Sequence, residues 1–519
     1  MSDSRMSSYR PVLDGERVRI AFLFQIASLW PSWESFFQNC SQDKRFDVKL
    51  YLVQDNVDMS LQSRTAQPFL EKAGMHFTPF SDEAFRIFAP HVAVIQTPYE
   101  YLHRQPHLYS LRLKSQGIRV IYIPYGIELV DTKSSRHEHF REPVIRNAWR
   151  IYTLSDAFLE EYRRYCENAE AVRGLGLPRF DSLAQKERHA LPDDLRERIG
   201  NRKVIVWHVH FAKSIDTEGG RKQVTPYLEE YLAFAQAISS FEEEHFFIFL
   251  PHPRFGDDAV DTVSNRKSAE ILQQIGSAEN AFTDTADDYR PALLNADAII
   301  TDRSALMIES ALAGVPILYL KNPDYDEPVF PPLAPLTDSY YQGHGYDDMI
   351  RFLDMLSRGE DERKVDREVR LRECVPCLDG KCGERIRTDI FMSVKAELSP
   401  GRAITGKIRV IIFGTGFLYR KIMSFYTFPD NCEVVALSDN DPSKWNKEFD
   451  GIVVVPPWKI RDIVFDKVII MAGNVFEEQI HRQLRFDLEI PENKIAYCEY
   501  LAIIHQEGEE EGYRDFTSL

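Results

Sequence analysis

The sequence has few cysteines, no long apolar segment and no excess of basic residues. Seven cysteines in 519 residues are too sparse for a disulfide framework, so we expect a reducing, cytoplasmic compartment. The longest apolar run near the start, Val18 to Trp30, contains Arg19 and Gln25 and is shorter than the roughly 20 residues that a membrane span requires. The first residues also lack the basic-then-apolar layout of a secretory signal, which agrees with this expectation.

The net charge excludes one class of partner. The chain carries 63 basic and 80 acidic side chains, a formal charge of −17, which would repel a phosphate backbone, so we expect no nucleic-acid partner. Hydrophobic residues make up 44% and charged residues 28%, which are the proportions of a globular chain. At roughly 100–200 residues per domain, the length predicts about three domains.

Short apolar runs alternate with longer stretches of helical spacing along most of the chain. This alternation is typical of parallel strands joined by crossover helices, and it predicts an α/β fold. The predicted strands of the first series begin at Val18, Asp47, His91, Ile118 and Arg150. The predicted strands of the second series begin at Lys203, His245, Ala296 and Pro316. A third series begins at Lys407.

Two stretches of different composition divide the chain. The polar, charged segment Gln185–Arg202 interrupts the first series, and the segment Glu397–Lys407 is rich in turn-forming residues. We therefore predict an N-terminal lobe, a second lobe, a small accessory domain and a polar tail, with bounds of 1–195, 200–398, 405–505 and 506–519.

One segment of the second unit carries a strong chemical signal. A predicted strand ends at Thr301, and Asp302 and Ser304 lie in the turn that follows. A helix is predicted from about Ala305 to Ala313. Ligands of parallel sheets bind beyond the carboxyl ends of the strands, and a helix N-terminus offers N–H groups to phosphate. Asp302 and Ser304 can therefore hold a diphosphate, although a turn residue and a helix cap remain the alternative roles.

A second pair of polar residues follows another predicted strand. His252 and Arg254 come directly after the strand that ends at Leu250, in a turn that two prolines restrict. An imidazole and a guanidinium at a strand end can bind a diphosphate and neutralise the charge that develops on it. Glu309, one turn into the helix after Ser304, can accept hydrogen bonds from ribose hydroxyls, or it is a solvated helix residue.

Four segments carry a resemblance to a known family. The family has His-Pro-Arg after one strand, a Thr-Asp-Tyr-Ser-Ser turn with a following acidic residue after another, and Gly-x-Pro-Arg-x-Asp and Asp-Gly-Lys-x-x-x-Arg segments. The chain thus resembles the CDP-glycerol glycerophosphotransferases, the teichoic-acid and capsule polyol-phosphate transferases, over roughly residues 90–395. The matching segments are His252–Arg254, Thr301–Glu309, Gly174–Asp181 and Leu378–Ile386.

The resemblance implies a fold and a reaction. The fold is of glycosyltransferase B type, with two Rossmann-like lobes that are followed here by a third small Rossmann-like domain. The first lobe would bind the acceptor and the second the nucleotide-activated donor, and no further cofactor is implied. The implied reaction transfers glycerol phosphate, or a related polyol phosphate, from a CDP-linked donor to an acceptor hydroxyl in cell-envelope or capsule polymer synthesis. The hydroxyl attacks the β-phosphorus and CMP leaves.

The first lobe departs from the family pattern. Where the family has Trp-His-Gly-Thr, with a histidine proposed as the catalytic base, this chain has Tyr125 before Gly126 and no histidine. Glu128, His208 and His210 titrate closer to neutrality than a tyrosine, so they can take the proton of the acceptor hydroxyl.

The candidate residues follow from the motifs and from this departure. The candidate catalytic residues are His252, Glu128 and His210, and the candidate donor-binding residues are Arg254, Asp302, Ser304, Glu309 and His208. Two other functions stay open, a glycosyltransferase of the same fold that uses a sugar nucleotide, and a non-catalytic nucleotide-binding protein of envelope assembly. The expected partners are a nucleotide-activated donor and a glycan or lipid-linked acceptor. A lipid-linked acceptor would bring the chain to the inner face of the cell membrane. The sequence does not determine the oligomeric state.

The third unit has a partial dinucleotide-binding fingerprint. Gly414 and Gly416 follow a predicted strand, and Asp439 ends the next one. Tyr419 occupies the position of the third glycine, so a purely structural or assembly role is the alternative. The unit resembles small Rossmann-like domains found beside sugar acyltransferases.

Three cysteines lie close together before the third unit. Cys374, Cys377 and Cys382 form a C-x2-C-x4-C pattern. The pattern lacks the second cysteine pair or the histidine pair of a structural zinc site, so we predict no metal ligand.

Overall fold

The structure is a computed structural model that describes residues 9–12, 15–53, 61–185, 189–211, 213–217, 220–225, 227–256, 262–322, 327–396, 408–424, 426–428, 432–472, 474–488, 490 and 494–498. Each of the three predicted units contains one large sheet, and the second unit also contains a hairpin.

The first sheet is built from apolar runs of the N-terminal lobe. Its strands are β1 (Val18–Phe24), β2 (Phe46–Leu52), β3 (Thr78–Pro79), β4 (Val92–Ile95), β5 (Arg119–Tyr122), β6 (Arg150–Tyr152) and β7 (Val172–Arg173). They are parallel, in the order β3-β2-β1-β4-β5-β6-β7. Strands β4 and β5 are buried at every position, as expected for a parallel sheet that helices cover on both faces.

The second sheet has the same parallel character. Its unit contains β8 (Lys203–Val209), β9 (Lys213–Thr217), β10 (Gly220–Thr225), β11 (His245–Pro251), β12 (Ala281–Thr283), β13 (Ala298–Thr301), β14 (Ile317–Leu320) and β15 (Tyr341–Gly343). The sheet order is β12-β11-β8-β13-β14-β15, and β9 and β10 form a separate antiparallel hairpin. The hairpin directly follows the central strand β8, and its polar sequence gives no strand signal.

The third sheet is smaller and mainly parallel. Its strands are β16 (Ile408–Phe413), β17 (Cys432–Ser438), β18 (Glu448–Phe449), β19 (Ile452–Val455), β20 (Lys467–Ile470) and β21 (Ile495–Tyr497). Their order is β18-β19-β17-β16-β20-β21, with β18 antiparallel to β19.

Helices cover the three sheets and connect their strands. They are α1 (Glu34–Gln42), α2 (Leu61–Lys72), α3 (Asp82–Phe88), α4 (Glu100–His103), α5 (Ser110–Ser115), α6 (Lys133–Phe140), α7 (Pro143–Asn147), α8 (Leu159–Tyr165), α9 (Pro178–Leu183), α10 (Asp193–Ile199), α11 (Leu228–Ala237), α12 (Thr262–Ser277), α13 (Arg290–Leu294), α14 (Leu306–Ser310), α15 (Ala334–Asp338), α16 (Tyr346–Ser357), α17 (Lys364–Cys374), α18 (Cys382–Ala396), α19 (Phe417–Met423) and α20 (Asn474–Arg482). None of the described helices combines the length and the apolar composition that a bilayer crossing requires.

The register of the second sheet brings three strand ends together. Leu250 of β11 and Thr301 of β13 both pair with His208 of β8. Each strand ends at this row or one residue beyond it. Because the strands are parallel, the loops that follow them emerge at the same edge of the sheet.

Helix α18 lies against the first lobe although it follows the second lobe in sequence. It packs on α1, and its apolar face joins the core of the first lobe. The Asp181 carboxylate accepts hydrogen bonds from the backbone N–H groups of Cys382 and Gly383 at 2.9 and 2.8 Å. It also accepts a bond of 2.6 Å from the Ser35 hydroxyl. Asp181 therefore satisfies two free N–H groups at the start of α18 and attaches that helix to the first lobe.

A second connection between the lobes is a short stretch of paired backbone, which we call the interlobe strap (residues 129–131 and 328–330). Val130 and Val329 form an antiparallel bridge, and the N–H of Phe330 donates to the carbonyl of Leu129 at 2.9 Å. The Phe330 ring packs edge-on against Phe140, with 5.6 Å between the ring centroids. The two lobes also share one continuous hydrophobic cluster.

The third unit has hydrophobic cores of its own, which contain only residues from 410 onward. Its contact with the first lobe is polar. The Arg146 guanidinium lies 3.7 Å from the Glu477 carboxylate and 4.8 Å from the centroid of the Tyr497 ring.

The predicted fold class is confirmed: two Rossmann-like lobes are followed by a third small Rossmann-like unit. The predicted helix after Thr301 divides into α14 and a 3-10 turn, Ala311–Ala313, and it ends at Gly314 with a φ of 75°. The segment Glu397–Lys407 and the tail 506–519 lie outside the described residues, so the predicted domain bounds remain predictions.

Removing the third unit should leave a folded two-lobe protein. A variant that ends at residue 396 loses the polar contact around Arg146, whereas the hydrophobic clusters described for the third unit contain only its own residues. We expect one cooperative thermal transition by circular dichroism and a single peak in size-exclusion chromatography. A variant that ends at residue 380 also lacks α18, exposes the apolar side of α1 and should aggregate. If both variants aggregate, the third unit belongs to the folding unit of the lobes.

Candidate functional site

Three loops meet at the carboxyl edge of the second sheet. The backbone N–H of His210, after β8, donates a hydrogen bond of 2.9 Å to Oδ1 of Asp302, after β13. The rings of His210 and His252, after β11, lie 4.9 Å apart between their centroids. The structure therefore brings together three residues that the sequence places in the site.

Asp302 is the buried carboxylate of this edge, with 2% of its surface exposed. Its Oδ2 accepts a hydrogen bond of 3.1 Å from the Tyr231 hydroxyl of α11. Burial raises the pKa of Asp302 to about 7, although the bonds from His210 and Tyr231 oppose the rise. Asp302 therefore fixes the loop after β8 and changes its charge near neutral pH.

Hydrogen bonds fix the neutral tautomers of three histidines. Nδ1 of His252 accepts the backbone N–H of Arg254 at 3.1 Å, so the ring proton is on Nε2. Nδ1 of His210 lies 3.0 Å from the carbonyl oxygen of Phe211, and Nδ1 of His208 lies 2.7 Å from a carbonyl oxygen of β11. These two rings carry the proton on Nδ1. His252 thus presents an N–H donor at Nε2, and His210 presents a lone pair.

Burial keeps these imidazoles uncharged at neutral pH. It lowers the pKa of His208 to about 4 and the pKa of His252 to about 3. It also lowers the pKa of His210 well below its ordinary value, and the neighbouring His252 and Arg303 add to the effect. The rings can donate and accept hydrogen bonds, but the positive charge must come from elsewhere.

Arg254 supplies positive charge on the open side of the edge. Its side chain is exposed, and its guanidinium lies 4.7 Å from the centroid of the Phe211 ring. Phe211 also stacks on His210, with 4.2 Å between the centroids. An exposed guanidinium beside an imidazole N–H donor suits an anionic group such as a diphosphate.

Ser304 and His208 lie close to this edge but have partners within the protein. The half-buried Ser304 hydroxyl accepts the backbone N–H of Leu306, the first residue of α14, at 3.2 Å, whereas the N-cap position itself belongs to Ala305. His208 is 6% exposed, and its Nε2 has no hydrogen-bond partner among the described residues. The neighbouring Arg303 forms an ion pair with Glu327. Donor contacts of Ser304 and His208 remain predictions.

Glu309 lies in a buried cluster between the lobes. Its carboxylate accepts a bond of 2.9 Å from the Arg179 guanidinium, which comes from α9, and another from the Tyr289 hydroxyl. Only 1% of Glu309 is exposed, so the alternative of a solvated helix residue is wrong. A ribose contact of Glu309 remains a prediction for a carboxylate that is buried between the lobes.

In the first lobe, Tyr125 and Tyr99 are hydrogen-bonded to each other. Burial raises the pKa of Tyr125, which is opposite to what a catalytic base requires. Glu128 is fully buried and accepts bonds from the hydroxyls of Tyr162 at 2.6 Å and Thr153 at 3.3 Å. Glu128 directly precedes the interlobe strap, and its carboxylate lies in the protein interior. Its catalytic role remains a prediction.

The candidate residues of the third unit lie at the carboxyl edge of its sheet. Gly414 has a φ of 105°, and a Cβ there would lie 2.6 Å from a backbone carbonyl oxygen after β20, so only glycine fits. Gly416 caps α19. Oδ2 of Asp439 accepts bonds from the Thr415 N–H at 2.8 Å, the Thr415 hydroxyl at 2.6 Å and the Lys444 ammonium at 2.8 Å. Asp439 therefore closes this loop, and its contact with a nucleotide remains a prediction.

The cysteines before the third unit take part in packing. Within the described part of the chain, no group of three His, Cys, Asp or Glu side chains is placed to hold a metal ion. A Cβ at Gly176, where φ is 85°, would lie 2.6 Å from both Cys377 Cβ and Cys382 Sγ. The two cysteines thus fill the space beside a glycine at the crossing between the lobes.

Four residues that contact the candidate site residues were given no role from the sequence. Tyr231 and Tyr289 lie in segments without a motif, whereas Phe211 directly follows the candidate residue His210. The contacts of all three join residues that are not neighbours in sequence. Arg179 differs, because it lies within the Gly174–Asp181 segment of the resemblance. The family motif was therefore a signal for Arg179.

Two connected Rossmann-like lobes, with the candidate site at the carboxyl edge of the second sheet, define the glycosyltransferase B fold. The chain is similar to a UDP-N-acetylglucosamine 2-epimerase from Listeria monocytogenes at 14% identity and a TM-score of 0.52, covering 75% of this chain and 100% of the other. It is similar to S. aureus MnaA, in a co-structure with UDP, at 12% identity and a TM-score of 0.51, covering 74% of this chain and 100% of the other. Similarity at these identities shows the fold.

Three further findings come from the comparisons with known proteins. The wall teichoic acid polymerase TagF aligns at 13% identity and a TM-score of 0.49, covering 76% of this chain and 92% of the other. The family described as C2185-like, N-terminal, matches residues 406–496, which form the third unit. A comparison with curated proteins finds no match.

Replacing Asp302 with asparagine should change how stability depends on pH. The native pKa of about 7 lies above the ordinary value of about 4 for an unfolded aspartate. The protonated carboxyl therefore stabilises the folded state fully below about pH 4, and this contribution is lost as the pH rises through about 7. As the pH rises from about 4 to about 7, the free energy of unfolding of D302N should increase relative to that of the wild type, by on the order of a few kcal/mol. Urea unfolding curves at several pH values measure this difference.

Contributions of the buried histidines are common to both proteins and cancel in the difference. The matched control is D347N, because Asp347 is exposed, and its difference from the wild type should not vary with pH. If the difference in free energy of unfolding between D302N and the wild type were also independent of pH, Asp302 would be ionised throughout this range.

Proposed function

We propose that the chain is a transferase that moves glycerol phosphate, or a related polyol phosphate, from a CDP-activated donor to an acceptor hydroxyl in cell-envelope or capsule polymer synthesis. The observation that carries the proposal is the meeting of His210, His252 and Asp302 beside the exposed Arg254, at one edge of the second sheet. The resemblance in the two motifs that end at Arg254 and Glu309 supports it.

A nucleotide-linked donor fits this edge. The carboxyl edge of a parallel sheet is the usual ligand position, and MnaA of the same fold has a co-structure with UDP. We place the reaction in the cytoplasm, with the donor on the second lobe and a glycan or lipid-linked acceptor on the first. A lipid-linked acceptor would position the protein at the inner face of the membrane.

The tautomers of His252 and His210 suggest which residue donates a hydrogen bond to the leaving group and which accepts the proton. Arg254 binds oxygens of the donor diphosphate, and the Nε2–H of His252 donates to the phosphate that leaves as CMP. The acceptor hydroxyl attacks the β-phosphorus, the bond from that phosphorus to the CMP oxygen breaks, and the hydroxyl proton moves to Nε2 of His210. Asp302 holds the His210 backbone in place. Glu128 is the alternative base, in the first lobe.

The first lobe favours a second candidate function. Tyr125 stands where the resembling family has its histidine, and its pKa is raised rather than lowered. An ordinary glycosyltransferase, which attacks an anomeric carbon and releases a nucleoside diphosphate, would not need that histidine. A non-catalytic nucleotide-binding protein of envelope assembly is the remaining alternative.

The leaving nucleotide distinguishes these functions. With CDP-glycerol and an acceptor, the purified protein should release CMP, detected by ion-exchange chromatography of the nucleotides. Release of a nucleoside diphosphate from a sugar nucleotide would instead identify a glycosyltransferase. Binding of a nucleotide donor in a thermal-shift screen, without turnover of any donor in the panel, would identify a non-catalytic protein.

Variants of the edge should separate binding from turnover. R254A should lose charge-assisted bonds to the diphosphate and reduce donor affinity or rate by about ten- to a hundredfold. H252A should lower kcat more than it weakens donor binding, because its bond strengthens as charge appears on the leaving phosphate. S304A should weaken donor binding and cost about 1 kcal/mol of stability through the lost hydrogen bond to the Leu306 N–H.

An exposed residue of the same lobe provides the control. R358A removes an arginine that is exposed at the end of α16, away from this edge, and it should keep wild-type kinetics. Wild-type kinetics in folded R254A and H252A proteins would show that the turn after β11 is structural only.

A further inference from the structure

Three exposed aromatic side chains follow three strands of the third sheet. Phe417, Trp458 and Phe476 expose 72%, 54% and 60% of their surface, and they come after β16, β19 and β20 respectively. Single exposed apolar residues are ordinary, whereas grouped ones mark interaction surfaces. The arrangement of these three rings therefore decides whether they form a surface.

Contacts around Asp439 bring two of the rings to one edge. The indole N–H of Trp445 donates to the carbonyl of Asp439 at 2.7 Å, and the Trp445 ring meets Trp458 at 4.8 Å between centroids. On the other side, the Asp439 carboxylate binds Thr415, two residues before Phe417. Trp458 and Phe417 thus flank the carboxyl end of β17.

The third ring, Phe476, lies in the first turn of α20, which follows the carboxyl end of the parallel strand β20. Asn440 follows Asp439, and its side-chain amide exchanges two hydrogen bonds of 2.9 Å with the amide of Gln483. Gln483 directly follows α20, the helix that carries Phe476. We call Phe417, Trp458 and Phe476 the aromatic edge.

Lysines accompany the aromatic edge. The Lys421 ammonium lies 5.9 Å from the centroid of the Phe417 ring, and the exposed Lys459 directly follows Trp458. Of the nearby carboxylates, Asp439 is paired with Lys444, and Glu477, which directly follows Phe476, lies 3.7 Å from Arg146. Asp441 is exposed. Aromatic rings that enter the headgroup region, with flexible ammonium groups beside them, are the combination that binds an anionic lipid surface.

We propose that the aromatic edge docks the chain on an anionic lipid bilayer. Each ring exposes more than half of its surface, so all three are accessible to a partner at this edge. The adjacent lysines select anionic over neutral lipid. The inference uses residues of the third unit alone, so it stands independently of the reaction proposed for the second lobe.

The test is co-sedimentation of the full-length chain with vesicles. The protein should bind vesicles of phosphatidylcholine mixed with phosphatidylglycerol more tightly than phosphatidylcholine alone, and added salt should weaken the binding. Combining F417S, W458S and F476S should reduce the partition coefficient by at least about tenfold. K421Q and K459Q should each reduce it by about fivefold at low salt, with little effect on neutral vesicles.

The matched control combines I87S, V365S and M392S, which remove side chains of 73%, 73% and 62% exposure from the two lobes. This variant should bind like the wild type, and thermal unfolding should show that all variants are folded. Failure of the wild type to bind the mixed vesicles overturns the proposal and leaves a protein partner for this surface. Equal binding to neutral vesicles, or equal loss in the control, overturns it as well.

Discussion

Backbone hydrogen bonding aligns Leu250, His208 and Thr301 in one row across three parallel strands of the second sheet. The loops that carry the candidate site leave the sheet directly after this row. A slip of one residue in either pairing would turn the side chains of that strand to the opposite face. The contact between the His210 backbone and Asp302 depends on this register, because those two residues are 92 positions apart. The chemistry of the edge is therefore a consequence of strand pairing.

Burial shifts the pKa values of the acid and the imidazoles at this edge in opposite directions. It raises the pKa of Asp302 and lowers the pKa of His208 and His252, so each group is driven toward its neutral form. Arg303 is compensated by Glu327. The exposed Arg254 then contributes positive charge beside histidines that burial keeps neutral.

The sequence predicts the strands well and the long-range contacts poorly, for physical reasons. A continuous apolar run such as β11 is buried on both faces, so its local composition is sufficient to identify it. The hairpin β9–β10 has no such run. Glu309 was placed correctly on a helix, but its partner Arg179 comes from the other lobe, and no local pattern encodes that pairing. The positions of the residues after each strand were thus predictable, whereas their bonding partners were not.

The two attachments between the lobes have a mechanical consequence. Asp181 and α18 hold the lobes together at the crossing, and the interlobe strap holds them at a second place. The shared hydrophobic cluster and the buried ion pair of Arg179 with Glu309 lie between the lobes as well. Sliding of one lobe past the other would therefore break the backbone bridge of the strap and the carboxylate bonds of Asp181, and it would expose apolar surface, so the lobes resist shear.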